Sequence, residues 1–430
     1  MLSRQQIATK TVDECVNTYI KGTLKSYVMS FDFDKEVHAE IAKKLFETGM
    51  RLGGVGLKAM QFMANRTDLR PPYILEFSKA LEHSAIRSSS SYIAGLLDSI
   101  PGLLYESNPI KSASIAQVHL GTYQSHDIIV KVQHEGVAEF YRSDLKLMAE
   151  LGAKVNKYPE ARGAGVMLGA ISEKLAHLIE GELNFTIEAS NQLRVAQDMS
   201  DASHPVTIAE ILYNSPSVLI MKKLDGITGS EAFDAWKTGS KIDLFPKAIR
   251  LQLYLAYAHM ILVKNFCQTD PHPGNFMHLS NGALGLLDFG QCASLPKDKW
   301  ENWKDFITLL PGSLDQVGVE VLIRRAFLKI GIEVTEKSAL NTLKLLFFAE
   351  GNGIFPQIDG LDHDYVSIVI VMLYLSRFEK NCYVARAKAG LVEDGFDPMT
   401  VVKVFQDQIG LRNAVLPDLP ITPSKRWYFF

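Results

Sequence analysis

The residues best suited to chemistry lie in two short motifs, Asp270–Asn275 with the sequence DPHPGN and Asp288–Gly290 with the sequence DFG. Carboxylate and amide oxygens are ligands that Mg²⁺ accepts, and phosphoryl transfer needs such groups beside a nucleotide. We therefore expect Asn275 and Asp288 to bind Mg²⁺ and Asp270 to orient a nucleophile. The first motif alone also fits an ordinary loop rich in proline and glycine, whose Asp and Asn bond to the turn backbone. Together, with an apolar strand ahead of Asp288, they favour a nucleotide site.

A lysine on a predicted strand is the next candidate. The alternating residues 112–119 and 128–132 predict a hairpin with a turn at residues 125–127, and Lys131 lies on its second strand. A kinase-like sheet places a lysine at such a position to contact the α- and β-phosphates. The alternative for Lys131 alone is a solvent-facing strand lysine.

Such a lysine requires a helix glutamate that fixes its rotamer, and Glu188 is the candidate. Helical periodicity is predicted for residues 168–199. At 100° per residue, Asn184, Glu188 and Asn191 would share one face of that helix.

The segment Ser112–Ser114 contains small residues without glycine. It cannot copy a glycine-rich phosphate cradle that depends on positive φ, although small side chains still permit close approach of a phosphate. An ordinary tight connection between strands is the alternative.

The composition excludes several classes of protein. The 430 residues are 47% hydrophobic, which suffices for a large core, and 45 basic against 48 acidic residues give a net charge of −3. With this net charge, no overall positive electrostatic field would attract the chain to nucleic acid. The four cysteines show neither paired nor metal-type spacing, which argues against a disulfide framework or a zinc site. No apolar run approaches the roughly 18–20 residues of a membrane-spanning helix, so none is expected.

Further periodic segments outline the architecture. Residues 37–52 predict a helix, residues 217–221 a short strand, and Pro246 opens a long helix through Val263. Residues 300–430 show several further helical patterns.

As a set, the motifs resemble one family, the UbiB/ADCK or aarF-domain atypical kinases, over about residues 45–300. The segments that carry the resemblance are the helical-extension motif Lys58–Gln61, the nucleotide loop Ser112–Ser114, the strand lysine Lys131, the acidic motif Glu182–Asn184, the helix glutamate Glu188, the catalytic loop Gln268–Asn275 and the metal motif Asp288–Gly290. This chain has Met60 where the family motif has glycine, and Asn184 in place of an acid.

The resemblance implies an α+β, protein-kinase-like two-lobed fold. Residues 1–90 would form an N-terminal helical extension, residues 91–221 the smaller lobe with inserted helices, and residues 222–430 a mostly helical lobe. The implied roles are catalytic for Asp270, Lys131 and Glu188; nucleotide-binding for Ser112, Ala113, Ser114, Lys131, Met221 and Leu224; metal-binding for Asn275 and Asp288; and substrate-side lid for Lys58, Gln61 and Glu182.

The resemblance also implies a function, an atypical kinase or ATPase that uses ATP or ADP with Mg²⁺. Family members are associated with ubiquinone or lipid metabolism, so the expected partners are a nucleotide, a lipid or phenolic small molecule, and a peripheral membrane or metabolic complex, but no nucleic acid. A mitochondrion or another organelle is the expected location. A nucleotide-binding scaffold without turnover and a small-molecule kinase are the alternatives.

Overall fold

The computed structural model describes residues 6–11, 13–15, 17–18, 33–52, 88–112, 115–155, 157, 181, 183–202, 206–315, 317–347, 362–391 and 396–410. The predicted site residues Lys58, Gln61, Ala113, Ser114 and Glu182, together with Met60, lie outside this part of the chain. The chain divides into two compact units. Unit 1 comprises Met1–Ile187 and Leu212–Met221, and unit 2 comprises Glu188–Ile211 and Lys222–Phe430.

Helices and strands occur in both units. The helices are α1 (Phe33–Leu52), α2 (Ser90–Leu97), α3 (Val137–Val155), α4 (Phe185–Met199), α5 (Gly229–Lys237), α6 (Lys247–Ala258), α7 (Lys297–Leu309), α8 (Val319–Lys329), α9 (Glu336–Phe347), α10 (His363–Lys388) and α11 (Thr400–Gly410). The strands are β1 (Leu104–Tyr105), β2 (Lys111–Ser112), β3 (Ala116–Tyr123), β4 (His126–Gln133), β5 (Val206–Ile208), β6 (Ile211–Asn214), β7 (Val218–Lys222), β8 (Gly226–Thr228), β9 (Cys267–Gln268), β10 (Phe276–Leu279), β11 (Leu284–Leu286) and β12 (Cys292–Ala293). The predicted α+β class is confirmed.

The hairpin β3–β4 is the centre of the sheet in unit 1, whose strand order is β1-β3-β4-β7-β6, with β2 also paired to β3. The hairpin is confirmed, but its predicted turn at residues 125–127 is wrong. His126 and Asp127 already belong to β4, and the turn consists of Gln124 and Ser125, at φ 50° and 64°. Positive φ at both positions matches the twist of the strands and usually selects Asn-Gly, so this turn lacks the usual sequence signal.

Alternation along β4 separates the core of unit 1 from the opposite face. Ile128, Val130 and Val132 are fully buried and pack against Ile93 and Leu97 of α2. The half-buried Lys131 lies between the last two of these residues, so it points to the other face of the sheet. The alternating hydrophobic pattern of β4 therefore determines which face of the sheet carries the Lys131 side chain.

Two predicted helices differ from expectation in their details. Helix α6 follows Pro246 as predicted, but its α-helical part ends at Ala258, and the last turn to Val263 is a π-helix. Helix α4 begins only at Phe185. Asn184 therefore does not share a helix face with Glu188, because its Oδ1 accepts a hydrogen bond from the Thr186 N–H at 3.0 Å and caps the first turn.

Unit 2 contains a four-stranded sheet of order β5-β11-β10-β8, a two-stranded pair β9–β12 and helices α5–α11. Its core includes edge-to-face contacts of the Phe378 ring with the rings of Phe245 and Phe276, at centroid distances of 5.8 and 4.7 Å. This core supports β10 and β11, which lie between the two acidic motifs in the sequence. No helix among the described residues is long and apolar enough to cross a membrane.

Candidate functional site

The loop Asp270–Asn275 closes on itself through hydrogen bonds. A single turn of 3-10 helix, Pro273–Asn275, begins after His272, whose Nδ1 accepts from the Gly274 N–H at 3.1 Å. The Asn275 N–H donates to the His272 carbonyl at 2.7 Å. These bonds hold Asp270 and Asn275 on one short, ordered loop.

The side chain of Asn275 is oriented by Asp270. Its Nδ2 donates to the Asp270 carbonyl oxygen at 3.0 Å and to Asp270 Oδ2 at 3.2 Å. An amide nitrogen has two hydrogens, so both are used and Oδ1 is the atom that remains to accept or to coordinate. The arrangement thus presents a hard oxygen beside a carboxylate.

The turn that carries Asp288 is joined to the same loop. Residue Phe276 pairs with Leu286, and the Leu287 N–H donates to the Asn275 carbonyl at 2.8 Å. Asp288 follows at φ 56°, an uncommon conformation that Asp tolerates better than most residues, and its Oδ1 accepts from the Gly290 N–H at 3.2 Å. The Asp288 side chain is exposed, whereas Phe289 is buried.

A buried glutamine braces this strained turn. Gln268 is fully buried, and its Nε2 donates to the Leu287 carbonyl at 2.5 Å and to the Asp288 carbonyl. Its Oε1 accepts from the hydroxyl of Tyr257 on α6, a residue whose pKa burial raises well above its usual value. Gln268 therefore connects the start of the catalytic loop to the turn that presents Asp288.

Helix α4 contacts the same turn. The Asn191 Nδ2 donates to the Phe289 carbonyl at 2.9 Å, and Glu188, one turn earlier, is buried with 1% exposure. The pKa of the Cys292 thiol is raised by burial first and then by the negative charges of groups that include Asp288 and Glu188. The carboxylates of Asp288 and Glu188 thus both lie close enough to the Cys292 thiol to act on it electrostatically.

The other predicted residues lie apart from this loop in sequence. In unit 1, Lys131 is half-buried with its Nζ 5.1 Å from the centre of the Phe185 ring, Ser112 ends β2, and Met221 lies on β7. Leu224, in unit 2, is half-buried just after β7.

Sequence reasoning assigned no role to Gln268, Tyr257 or Asn191 in bracing the Asp288 turn. Gln268 lies within the recognised catalytic-loop motif, and Asn191 was placed only on a helix face. Tyr257 gave no signal at all, because it is one apolar-periodic residue of a long helix. Among the described residues, no group of three or more His, Cys, Asp or Glu side chains is arranged to hold a metal.

Residues 103–313 match the family model of the ABC1 atypical kinase-like domain. This segment belongs to the ABC1 atypical kinase-like family. Ser112, Lys131, Glu188 and both acidic motifs lie inside the ABC1 domain, whereas Lys58 and Gln61 precede it. The predicted resemblance and the protein-kinase-like fold class are confirmed by this match.

Several known proteins are similar to this chain. Protein ACTIVITY OF BC1 COMPLEX KINASE 8, chloroplastic, of Arabidopsis thaliana is 28% identical over 298 residues, 65% of this chain and 38% of that protein. Probable protein kinase UbiB of Shewanella baltica is 30% identical over 271 residues, 57% of this chain and 46% of that protein. The match thus spans less than half of each of these relatives. A solved structure, Rv3197 with erythromycin from Mycobacterium tuberculosis, covers 71% of this chain and 84% of its own at 20% identity and a TM-score of 0.49.

Proposed function

We propose that the ABC1 domain of this chain binds ATP or ADP with Mg²⁺ and acts as an atypical kinase or ATPase. The observation that carries the proposal is the joined constellation of Asp270, Asn275 and Asp288. Both amide hydrogens of Asn275 are donated to Asp270, which leaves the Asn275 Oδ1 to coordinate a metal. The exposed Asp288 carboxylate comes directly after Leu287, whose N–H donates to the Asn275 carbonyl. An amide oxygen and a carboxylate are the ligands expected for Mg²⁺ beside nucleotide phosphates.

These groups fit a metal that arrives with its nucleotide rather than one bound by protein alone. Mg²⁺ prefers six oxygen ligands and keeps several waters, whereas Asn275 and Asp288 offer only two side chains. Phosphate oxygens and water would complete the shell.

The remaining roles belong to the chain's own residues. Asp270 would orient the attacking hydroxyl or water and take up its proton, Lys131 would hold the α- and β-phosphates, and Glu188 would fix the rotamer of Lys131. The backbone from Met221 to Leu224 would contact the adenine. ATP would supply the transferred phosphoryl group, and Mg²⁺ would neutralise its charge.

We further propose that Lys58, Gln61 and Glu182 line the substrate side of the site, as a lid that excludes a protein substrate. Residues 1–90 would carry that lid, residues 91–221 the phosphate-binding lysine, and residues 222–430 the catalytic and metal motifs. A lipid or phenolic compound is then the favoured acceptor, in ubiquinone or lipid metabolism of a mitochondrion or other organelle, at a peripheral membrane or in a metabolic complex. The name of the Arabidopsis relative, a chloroplastic kinase, supports an organelle in general.

A thermal-shift comparison tests the metal assignment. Mg·ATP at 100 times its Kd should stabilise the wild type by about 2.7 kcal/mol, whereas Mg²⁺ alone should give almost no shift. Asp288→Asn should lose most of the Mg·ATP effect, and Asp315→Asn, at an exposed aspartate of the same unit, should keep it. Equal stabilisation of the Asp288→Asn variant and the wild type would refute the metal site.

Phosphate release separates an enzyme from a scaffold. We expect the wild type to release phosphate from Mg·ATP, with stimulation by lipid vesicles or a phenolic compound, and Asp270→Asn to reduce the rate by at least about 100-fold. Binding of Mg·ATP without any release that depends on Asp270 would instead identify a nucleotide-binding scaffold.

A further inference from the structure

One residue, His134, holds both flanks of the predicted nucleotide loop. Its backbone N–H donates to the Ile115 carbonyl at 2.9 Å, and its ring Nε2 lies 3.4 Å from the Ser112 Oγ. Ser112 and Ile115 are the described residues on either side of the loop. His134 follows β4 directly, three residues after Lys131, and is buried with 6% exposure.

The other ring nitrogen of His134 ties the same point to the serine-rich segment before α2. His134 Nδ1 lies 3.1 Å from the Ser88 Oγ, which also accepts from the Glu135 N–H at 3.0 Å. The Ser88 hydroxyl hydrogen is therefore available to His134 Nδ1, and a proton on Nε2 can then be donated to the Ser112 Oγ. With the proton on Nε2, the contacts of the His134 ring with Ser88 and Ser112 and the bond from the Glu135 N–H to Ser88 Oγ all form together.

A second buried chain anchors Ser88 independently of the loop. The Ser88 N–H donates to Gln117 Oε1 at 3.0 Å, and Gln117 Nε2 lies 2.8 Å from His119 Nε2. The His119 Nδ1 lies 2.6 Å from the Glu106 carbonyl, which can only accept, so that nitrogen carries the proton. Ser88 is thus a fixed support for the His134 ring.

We propose that His134 is a positioning residue, which sets Ser112, the first residue of the predicted nucleotide loop, at a fixed distance from Lys131. Because His134 comes three residues after Lys131 on a continuous stretch of chain, the bond from the ring to Ser112 holds Ser112 to the strand that carries Lys131. This inference rests on the proposed function, in which the loop and Lys131 contact one nucleotide. His134 acts in this way without touching the nucleotide.

Two substitutions of His134 separate positioning from mere packing. An asparagine amide occupies nearly the place of Nδ1, so His134→Asn keeps the hydrogen bond to Ser88 but loses the hydrogen bond to Ser112. A glutamine amide reaches nearly to the place of Nε2, so His134→Gln keeps the contact to Ser112. We expect His134→Asn to weaken Mg·ATP binding by about 2- to 10-fold, as one hydrogen bond allows, and His134→Gln to bind within about 2-fold of wild type.

The loop itself supplies the second variant and the structural readout. Ser112→Ala, at a half-exposed residue, should match His134→Asn, and the double variant should bind no more weakly than either single one. Hydrogen exchange of the peptide spanning residues 110–116, measured without nucleotide, should quicken in both single variants. The control His126→Asn, at an exposed histidine at the other end of β4 from His134, should leave both Mg·ATP affinity and this hydrogen exchange unchanged.

The outcomes distinguish this inference from the proposed function. Suppose that the wild type binds Mg·ATP in a manner that depends on Asp288. If Ser112→Ala and His134→Asn then bind Mg·ATP like the wild type, or if their losses of affinity multiply in the double variant, His134 has no positioning role. A wild type that fails to bind Mg·ATP overturns both. If every His134 variant is unfolded, Ser112→Ala alone still decides, since unchanged affinity and exchange would overturn the inference.

Discussion

The substitution Gln268→Leu removes the brace of the Asp288 turn while nearly preserving side-chain volume. In the wild type, Gln268 Nε2 donates to the carbonyls of Leu287 and Asp288, and Oε1 accepts from the Tyr257 hydroxyl, all around a fully buried side chain. Leucine leaves two carbonyls and one hydroxyl without this partner. A buried polar group that loses its partner costs about 1–3 kcal/mol, and relaxation recovers part of the sum, so we expect a loss of about 2–5 kcal/mol.

The same change should also impair the site, because Asp288 is held at positive φ by the bonds that leucine removes. We expect Mg·ATP affinity, measured by calorimetry on folded protein, to fall by about 10-fold or more, the equivalent of about 1.4 kcal/mol. Urea unfolding measures the stability loss.

The matched control is Tyr257→Phe, which removes only the bond to Gln268 Oε1 and leaves the two bonds to the turn intact. It should cost about 1 kcal/mol of stability and bind Mg·ATP like the wild type. A folded Gln268→Leu variant with unchanged Mg·ATP affinity would show that Gln268 does not hold Asp288 for metal binding.

Two further predictions concern the packing of unit 2. Glu379→Gln should destabilise the protein by about 3–5 kcal/mol in urea unfolding, because it leaves the buried Arg250 guanidinium, 2.9 Å from Glu379 Oε2, without a compensating charge. The control Lys237→Ala removes an exposed ion pair with Asp234 and should have no measurable effect. Burial raises the pKa of the Cys267 thiol from 9.0 to about 12, so its contribution to stability is complete below pH 9 and is lost as the pH rises toward 12. Urea unfolding between pH 8 and pH 11 should show this loss in the wild type and a smaller one in Cys267→Ala, and equal slopes would contradict it.

Local patterns predicted much of the fold. The hairpin that carries Lys131 and the helix after Pro246 follow from alternation, periodicity and proline chemistry, which act over a few residues. The same rules misplaced the hairpin turn, since Gln124 and Ser125 adopt positive φ without glycine or asparagine. They also placed Asn184 on a helix that it caps instead, because the start of a helix depends on one side-chain hydrogen bond that periodicity does not register.

The contacts that orient the site were not predictable in this way. Gln268 bonds to residues 19 and 20 positions away, and Asn191 bonds to a carbonyl 98 positions away. Which atoms meet over such separations depends on strand register and helix packing, which a single sequence does not specify. His134 escaped notice for the same reason, since Ser88, Ser112 and Ile115, all of which it contacts, come from different parts of unit 1.

The sequence by itself determined which chemical groups the chain can present, because residue type and local spacing decide this. These groups are two acids and an amide at fixed spacing, a strand lysine and a helix glutamate. Only the tertiary structure decided how these groups are held. It directed both amide hydrogens of Asn275 to Asp270, set Asp288 in a strained turn braced by Gln268, and tied the flanks of the nucleotide loop to His134. Hydrogen bonds require positions and directions to within a fraction of an ångström, and those are fixed only when the strands and helices have packed.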